Sequence, residues 1–236
     1  MIIFKFVLTS LSVIIRKELG AMNDEEKIKD ILKKVKNHIC DEKAFESINM
    51  TKQTLEVLIN IFYEKNKKEG QHCYRVSKLC EKMGKALELS KDTVDELRIV
   101  GLLHDIGKIR IKESILNKKE KLTNDEWNHL KRHPEIGCEI LLMVDGMIEV
   151  AEYVLAHHER YDGLGYPKGT SGKEIPIQSR IISIVDSYDA IVSERCYRKA
   201  LPEEFAIEEL RINSGLQFDP DLTKIFIEKV LNKQFN

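Results

Sequence analysis

The sequence predicts an all-α fold, and three observations carry that expectation. Apolar residues recur every three or four positions through most of the chain, the spacing of a helix face. Helix-start signals at Ser90, Thr123-Asn-Asp-Glu126, Pro134, Pro202 and Pro220 punctuate these runs. Glycine, proline and aromatic residues are few, and no series of alternating runs suggests a sheet.

Taken in order, Met1–Ile15 is apolar except for Lys5 and a few hydroxyls, and is too short to span a bilayer. A membrane-surface anchor, a strand-like arm or a tail ahead of an alternative start at Met22 all fit. A secretory leader fits less well, because the charge sits inside the run and no small-residue cleavage site follows convincingly. From Asp24 to Ile39, residues Ile28, Ile31, Leu32, Val35 and Ile39 mark a short helix with a lysine-rich opposite face. It packs on the main domain or pairs two copies into a homodimer. A polar joint near Asp41–Met50 divides an N-terminal region, residues 1–50, from a main domain at 51–236.

Leu55, Leu58, Ile59 and Phe62 mark the next helix, with a break expected around Gly70. His72, Val76, Leu79 and Met83 then share one face. Ser90 or Asp92 caps a helix in which Leu97, Gly101 and His104 line up. Thr123-Asn-Asp-Glu126 is a capping box opening a helix through Trp127 and Leu130. That helix breaks at His133-Pro134, where Pro134 starts another through Ile136, Ile140 and Leu141. Ile148, Ala151, Val154 and Leu155 form a helix closed by His157 and His158, followed by the loop Gly163-Leu-Gly-Tyr-Pro167. Ile181 to Val192 is an apolar helix interrupted by Asp186 and Asp189, and Pro202 and Pro220 open two closing helices.

Charge excludes some function classes. With 39 acidic against 38 basic residues, nothing in the bulk composition argues for a nucleic-acid polymer or an anionic membrane as partner. An anionic substrate would have to meet a local basic cluster. The five cysteines are odd in number and lack a CxxC pair, the usage of a reducing compartment, so a cytoplasmic protein is expected.

Several polar residues resist an ordinary core role. A lone inward histidine such as His72 is more often a satisfied core residue than a ligand. The pair His104-Asp105 is different: it ends a buried helix and leaves a carboxylate in the core without an evident partner. A cation is the simplest remedy. His133 sits at a helix junction. His157 and His158 are adjacent, and neighbouring helical residues point about 100° apart, so both cannot enter one ordinary core stripe. Asp186 and Asp189 share a helix face; Asp189 is assigned to capping or bonding a neighbouring loop. The resulting set is His72, His104, Asp105, His133, His157, His158 and Asp186, and of the seven histidines only His38 and His129 fall outside it. Neutral imidazoles with hard carboxylates suit iron, manganese, zinc or nickel rather than calcium or magnesium. So many donors exceed the need of one tetrahedral ion and argue for at least two, bridged by a carboxylate. Such a pair holds a bridging hydroxide and clamps a phosphoryl group.

These residues resemble the HD-GYP subgroup of the HD-domain metal-dependent phosphohydrolases, over roughly Thr51 to Leu231. His104-Asp105-Ile106-Gly107-Lys108 matches the HD motif, and His157–Pro167 matches the signature HHExxDGxGYP without a departure. Supporting matches are His72-x-x-Arg75-Val76, Ser114-Ile-Leu with Lys121-Leu-Thr, His133-Pro-Glu-Ile-Gly137, Asp186-x-x-Asp189-Ala190, Arg195-x-Tyr197-Arg198 and Gln217-Phe-Asp-Pro220.

The resemblance implies an HD-domain helical bundle with an HD-GYP extension behind a short N-terminal helical region. It implies hydrolysis of cyclic di-GMP to pGpG or GMP, with two transition-metal ions, iron or manganese foremost. The seven residues above become the metal ligands, Asp105 the bridging one. Lys108 becomes a phosphate contact or the acid protonating the leaving 3′ oxygen. Arg195 and Arg198 become substrate-phosphate contacts, although basic clusters of this kind are usually solvated surface. Gly163, Gly165, Tyr166 and Pro167 shape a loop for substrate access and for docking diguanylate cyclase (GGDEF) domains. One position departs: trinuclear members carry a glutamate one turn before the first histidine, where this chain has Lys68, with Glu69 one residue off register. A binuclear centre is therefore expected. Two alternatives stand beside the enzyme reading. One is a module binding cyclic di-GMP or a cyclase partner with little turnover. The other is a hydrolase of a related dinucleotide, 3′,3′ cyclic GMP-AMP.

Overall fold

In the computed structural model, Asn60 and residues 66–144, 146–194 and 199–235 are described. The expected N-terminal helix, the joint near residue 50, the helix of Leu55 and Phe62, and Arg195 and Arg198 lie outside them. Nine α-helices run in order among the described residues: α1 Lys67–Ala86, α2 Lys91–Leu103, α3 Glu113–Leu116, α4 Asn124–Leu130, α5 His133–Leu142, α6 Ile148–Leu155, α7 Ile177–Val192, α8 Glu203–Ile212 and α9 Pro220–Ile225. A 3₁₀ turn, Ile106–Arg110, follows α2, a second covers Gly172–Glu174, and a π turn, Phe226–Val230, extends α9. No strand occurs among these residues; one isolated bridge joins Ser214 to Phe218.

The core forms where apolar faces of α1, α2 and α7 meet. Cys73, Val76, Cys80 and Met83 of α1 bury against α2, whose Leu97, Val100 and Leu103 are likewise inaccessible. The Ser77 hydroxyl donates to Arg98 O across the pair at 2.8 Å. Helix α7 contributes Ile181, Ile182, Ile184 and Val185, each fully buried. Removing such side chains from water stabilises the bundle by about 1.5–3 kcal/mol apiece. Helix α5 packs on α6 and on the 3₁₀ turn after α2, which ties the two motif-bearing turns together.

Local signals set most helix ends as read from the sequence. Ser90 accepts from Thr93 N–H and caps α2, and the reciprocal box of Thr123 and Glu126 opens α4. Helices α3 and α4 bury no residue, so the capping box and the Lys118–Glu126 ion pair at 2.6 Å hold α4 more than core packing does. The expected break at Gly70 is corrected. Asn66 caps α1, its side chain accepting from Glu69 N–H, and Gly70 lies inside the first turn with its N–H bonded to Asn66 O at 3.0 Å. A capped start upstream outweighs one glycine, whose cost within a helix is only about 1 kcal/mol.

Candidate metal centre

The structure brings all seven expected donors to one place from five separate elements. Helix α1 supplies His72; the end of α2 supplies His104 and Asp105; α5 begins at His133; α7 supplies Asp186. His157 and His158 lie in the turn just past α6, not on the helix as expected, because α6 ends at Leu155 and Ala156 caps it. That turn breaks the helical 100° divergence. The two rings stack 4.0 Å apart at 41° and both face His133.

The donors divide into two groups with Asp105 between them. His133, His157 and His158 form one, and His72, His104 and Asp186 the other; within each, ligand atoms lie within 4.8 Å of one another. Asp105 Oδ1 is 3.2 Å from His133 Nε2, while Oδ2 is 3.3 Å from His104 Nε2 and 3.8 Å from His72 Nε2. One carboxylate thus addresses both groups with different oxygens.

Backbone carbonyls decide which imidazole nitrogens face inward. His104 Nδ1 lies 2.9 Å from Gly101 O, His133 Nδ1 2.8 Å from Leu130 O, and His157 Nδ1 2.6 Å from Val154 O. A carbonyl only accepts, so each Nδ1 donates and each neutral ring turns an Nε2 lone pair toward the centre. His133 Nε2 then meets His157 Nε2 at 3.2 Å and His158 Nε2 at 3.1 Å. His104 Nε2 is fully buried and without a hydrogen bond. Lone pairs converging in a dry pocket repel unless a cation binds them. The donor set therefore fits transition-metal ions.

Burial works in the same direction. It pushes His133, His157 and His158 down from their ordinary range, His158 to about 3, so the rings stay neutral and ready to ligate. Burial pushes Asp105 up, but the Lys108 ammonium, 2.7 Å from Oδ2, together with the His104 and His133 rings outweighs it and holds the carboxyl well below its usual range. A pH dependence follows. An unfolded histidine titrates near 6.5, so below that value the unfolded chain takes up protons that the folded chain refuses. These three histidines contribute stability that is fully present above about pH 6.5 and falls, by up to roughly 1.4 kcal/mol per pH unit each, as pH drops. Chelator-treated protein is expected to unfold at lower urea at about pH 5.5 than at about pH 7.5; equal midpoints would contradict neutral histidines.

Asp189 was expected to cap or bond a neighbouring loop, and the structure corrects this. Its Oδ2 lies 2.7 Å from His72 Nδ1, and Arg75 holds both of its oxygens, Nε to Oδ1 at 2.7 Å and a terminal nitrogen to Oδ2 at 2.9 Å. Asp189 is buried, and this bidentate grip with the His72 bond outweighs burial and keeps it ionised. The carboxylate fixes the His72 tautomer and turns Nε2 toward Asp186 Oδ1, 3.0 Å away. The readable signal was the paired spacing, Arg75 three after His72 and Asp189 three after Asp186, which puts each partner on the ligand's own helix face. Asp189→Ala is expected to weaken metal affinity by about 10–100-fold with Asp189→Asn in between, measured by competition with a chromophoric chelator.

The loop after the paired histidines is built on tight backbone contacts. Asp162 Oδ1 accepts from Leu164 N–H at 3.0 Å, and Arg160 grips the same carboxylate. A Cβ on Gly165 would overlap the backbone of Arg160 and approach Glu159 Cα to 2.6 Å, so only glycine lets the strand of loop close. Tyr166 N–H returns to His158 O at 3.2 Å, and its ring lies 5.0 Å from the His158 ring. Glu159, buried, receives Lys168 N–H at 2.6 Å and ties down the far side. This was not foreseen, since a glutamate between a histidine and an arginine reads as surface. Lys108 sits beside the two donor groups, its ammonium 2.7 Å from Asp105 Oδ2.

The HD domain family matches residues 56–222, most of the main domain. The chain belongs to the HD domain family. This HD-domain chain carries the HD and GYP motifs whole. It is 35% identical over 194 residues to 3′3′-cGAMP-specific phosphodiesterase 2 of Vibrio cholerae serotype O1, spanning 78% of this chain and 37% of the relative. It is 36% identical over 178 residues to a cyclic di-GMP phosphodiesterase of Thermotoga maritima, spanning 75% of this chain and 48% of the relative. The HD-domain chain thus spans less than half the length of these curated relatives. Among solved structures, the HDG"Y"P protein Bd1817 of Bdellovibrio bacteriovorus shares the fold, with a TM-score of 0.59 at 18% identity over 86% of this chain and 67% of that one.

Proposed function

We propose that this chain hydrolyses a phosphodiester bond of a cyclic dinucleotide, with cyclic di-GMP as first candidate and pGpG or GMP as products. The observation that carries the reading is the division of the donors into two groups that share Asp105. His133, His157 and His158 would hold one ion and His72, His104 and Asp186 the other, with Asp105 between them. When bound, two such ions supply an activated water and neutralise charge on the phosphoryl oxygens. Iron or manganese is the proposed pair, zinc or nickel being compatible with the same donors.

The chain's own groups do the rest. Asp189 and the backbone carbonyls hold the His72, His104, His133 and His157 rings in one tautomer, with Nε2 turned toward the centre. Lys108 is the one ammonium on Asp105 among the described residues, and it would contact a phosphate or donate a proton to the departing 3′ oxygen. Arg195 and Arg198 are proposed to bind the flanking phosphate with their guanidinium forks. The loop of Gly163, Gly165, Tyr166 and Pro167 borders substrate access, and its tip, with Leu164 exposed, is the proposed docking surface for diguanylate cyclase domains. No helix among the described residues is long and apolar enough to cross a membrane, and the free cysteines favour a reducing, cytoplasmic setting.

A second reading has its own support, since three relatives are named for cyclic GMP-AMP. Anaerobic purification, metal analysis and product chromatography with each dinucleotide separate the two. Faster cleavage of cyclic di-GMP is expected. Faster cleavage of cyclic GMP-AMP would move the substrate assignment, and binding of either without turnover would make the chain a sensor or docking module.

A further inference from the structure

We propose that the turn between α8 and α9 is a latch on the loop that follows the paired histidines, and that Gln217 is its positioning residue, holding this loop shut over His158 by way of Arg160. The latch deepens the proposed hydrolysis, in which this loop borders substrate access, and rests on it.

The loop is a flap with a narrow neck. Gly163 and Gly169 both lie in the left-handed region, with φ of 80° and 70°, and they bring its two ends together: a Cβ on Gly163 would stand 3.5 Å from Gly169 O. The flap carries Tyr166, whose ring lies 5.0 Å from the His158 ring and is tilted from it by 31°. Burial, with the charges of Asp105 and Asp186, pushes the Tyr166 phenol above its usual range, so the hydroxyl is within reach of the donors' field. Lifting the flap would uncover His158.

The neck is fastened from a distant part of the chain. Tyr161 N–H donates to Gln217 O at 3.1 Å, and Asp162 N–H donates to Leu216 O at 2.8 Å. A side-chain bond joins the same two segments across 57 positions, Arg160 Nη1 donating to Gln217 Oε1 at 3.1 Å. A guanidinium only donates, so the Gln217 amide must turn its oxygen toward it. The same guanidinium holds both oxygens of Asp162, Nε to Oδ1 at 3.0 Å and Nη2 to Oδ2 at 2.6 Å. Asp162 Oδ1 in turn accepts from Leu164 N–H at 3.0 Å. A line of bonds therefore runs from Gln217 through Arg160 and Asp162 into the flap.

The latch side of this line is anchored. Asp219 caps α9 with Oδ1, while its Oδ2 accepts from Arg180 of α7 at 2.6 Å. Asp219 and its neighbour Phe218 are buried, and Gly215 N–H closes the turn on Phe218 O at 2.8 Å. The turn is thus tied to the helix that supplies Asp186. When the bonds at the neck break, the flap is the part free to move. A hydrogen bond from a charged donor is worth more than a neutral one, which makes Arg160–Gln217 the side-chain bond with most influence on that opening.

Two variants separate the bond from the fold. Gln217→Met keeps the length of the side chain but offers Arg160 no strong acceptor, and Gln217→Glu restores one. Amide exchange reads the latch directly, because the N–H groups of Tyr161 and Asp162 are protected by the turn itself. Gln217→Met is expected to speed exchange at Tyr161, Asp162 and Leu164 about tenfold, with Gln217→Glu close to wild type and the amides of α2 unchanged. Unchanged exchange at Tyr161 and Asp162 in Gln217→Met, or an equal acceleration throughout α2, would overturn the latch. Stopped-flow mixing of metal-loaded protein with a fluorescent cyclic di-GMP analogue then reads the flap as a gate. Gln217→Met is expected to bind and release the analogue about tenfold faster at an unchanged Kd, whereas a merely damaged site binds more weakly without binding faster. Weaker binding at an unchanged association rate overturns the gate. If even the wild type fails to bind the analogue, the substrate reading falls, and amide exchange alone decides the latch.

Discussion

Replacing His104 and Asp105 together by alanine is expected to abolish both metal retention and phosphodiester hydrolysis. Asp105 addresses both donor groups, with Oδ1 3.2 Å from His133 Nε2 and Oδ2 3.3 Å from His104 Nε2. Its loss therefore takes a donor from each proposed ion at once, and the loss of His104 takes a second from one of them. The fall in activity should exceed the roughly 10–100-fold that follows from removing a group which only orients a ligand, such as Asp189. Asp105→Asn separates chemistry from folding, because it keeps the shape while removing the charge that Lys108 compensates. The measurements are metal per chain by mass spectrometry and product formation with the metal supplied. Hydrolysis that survives the double substitution would sink the metal mechanism.

Gly107→Ala is expected to be the most damaging single-carbon addition in the domain. A Cβ at that position would overlap His133 O and approach Gly137 N to 2.6 Å. Both neighbours are backbone of α5, so no side chain can swing aside. The whole start of that helix would have to move, and with it the His133 ring that lies 3.2 Å from Asp105. Overpacking usually costs about 1–3 kcal/mol, and backbone that cannot yield places this case at or above the upper end. Urea unfolding gives the stability loss and metal analysis the damage to the centre. An unchanged midpoint would show that α5 yields more easily than its packing implies.

Those two positions also show how much was legible beforehand. Helix starts at Ser90, Thr123 and Pro134 were readable because a cap or a proline acts within one turn of chain. The histidines and acids were readable as a set because each was hard to place in an ordinary core. What their spacing withheld was partnership. Asp189 bonds His72 across 117 positions, and Glu159 bonds Lys168 in a loop whose path no local rule dictates. The expected break at Gly70 failed for the opposite reason: the stronger signal, Asn66, lay just upstream.

The sequence by itself determined the all-α class and most helix boundaries and picked out seven candidate donors, because periodicity, capping and the cost of burying charge are properties of neighbouring residues. Its motifs also determined the family, which the match over residues 56–222 establishes. Only the tertiary structure decided that the donors form two groups around one carboxylate. That division depends on how α5, α6 and α7 are set against the HD turn, an outcome of packing between distant segments. It also decided the standing of Glu69. One residue of register along α1 is a fixed angle, but whether that angle ends at solvent or at the Lys108 ammonium depends on where a different turn of chain arrives.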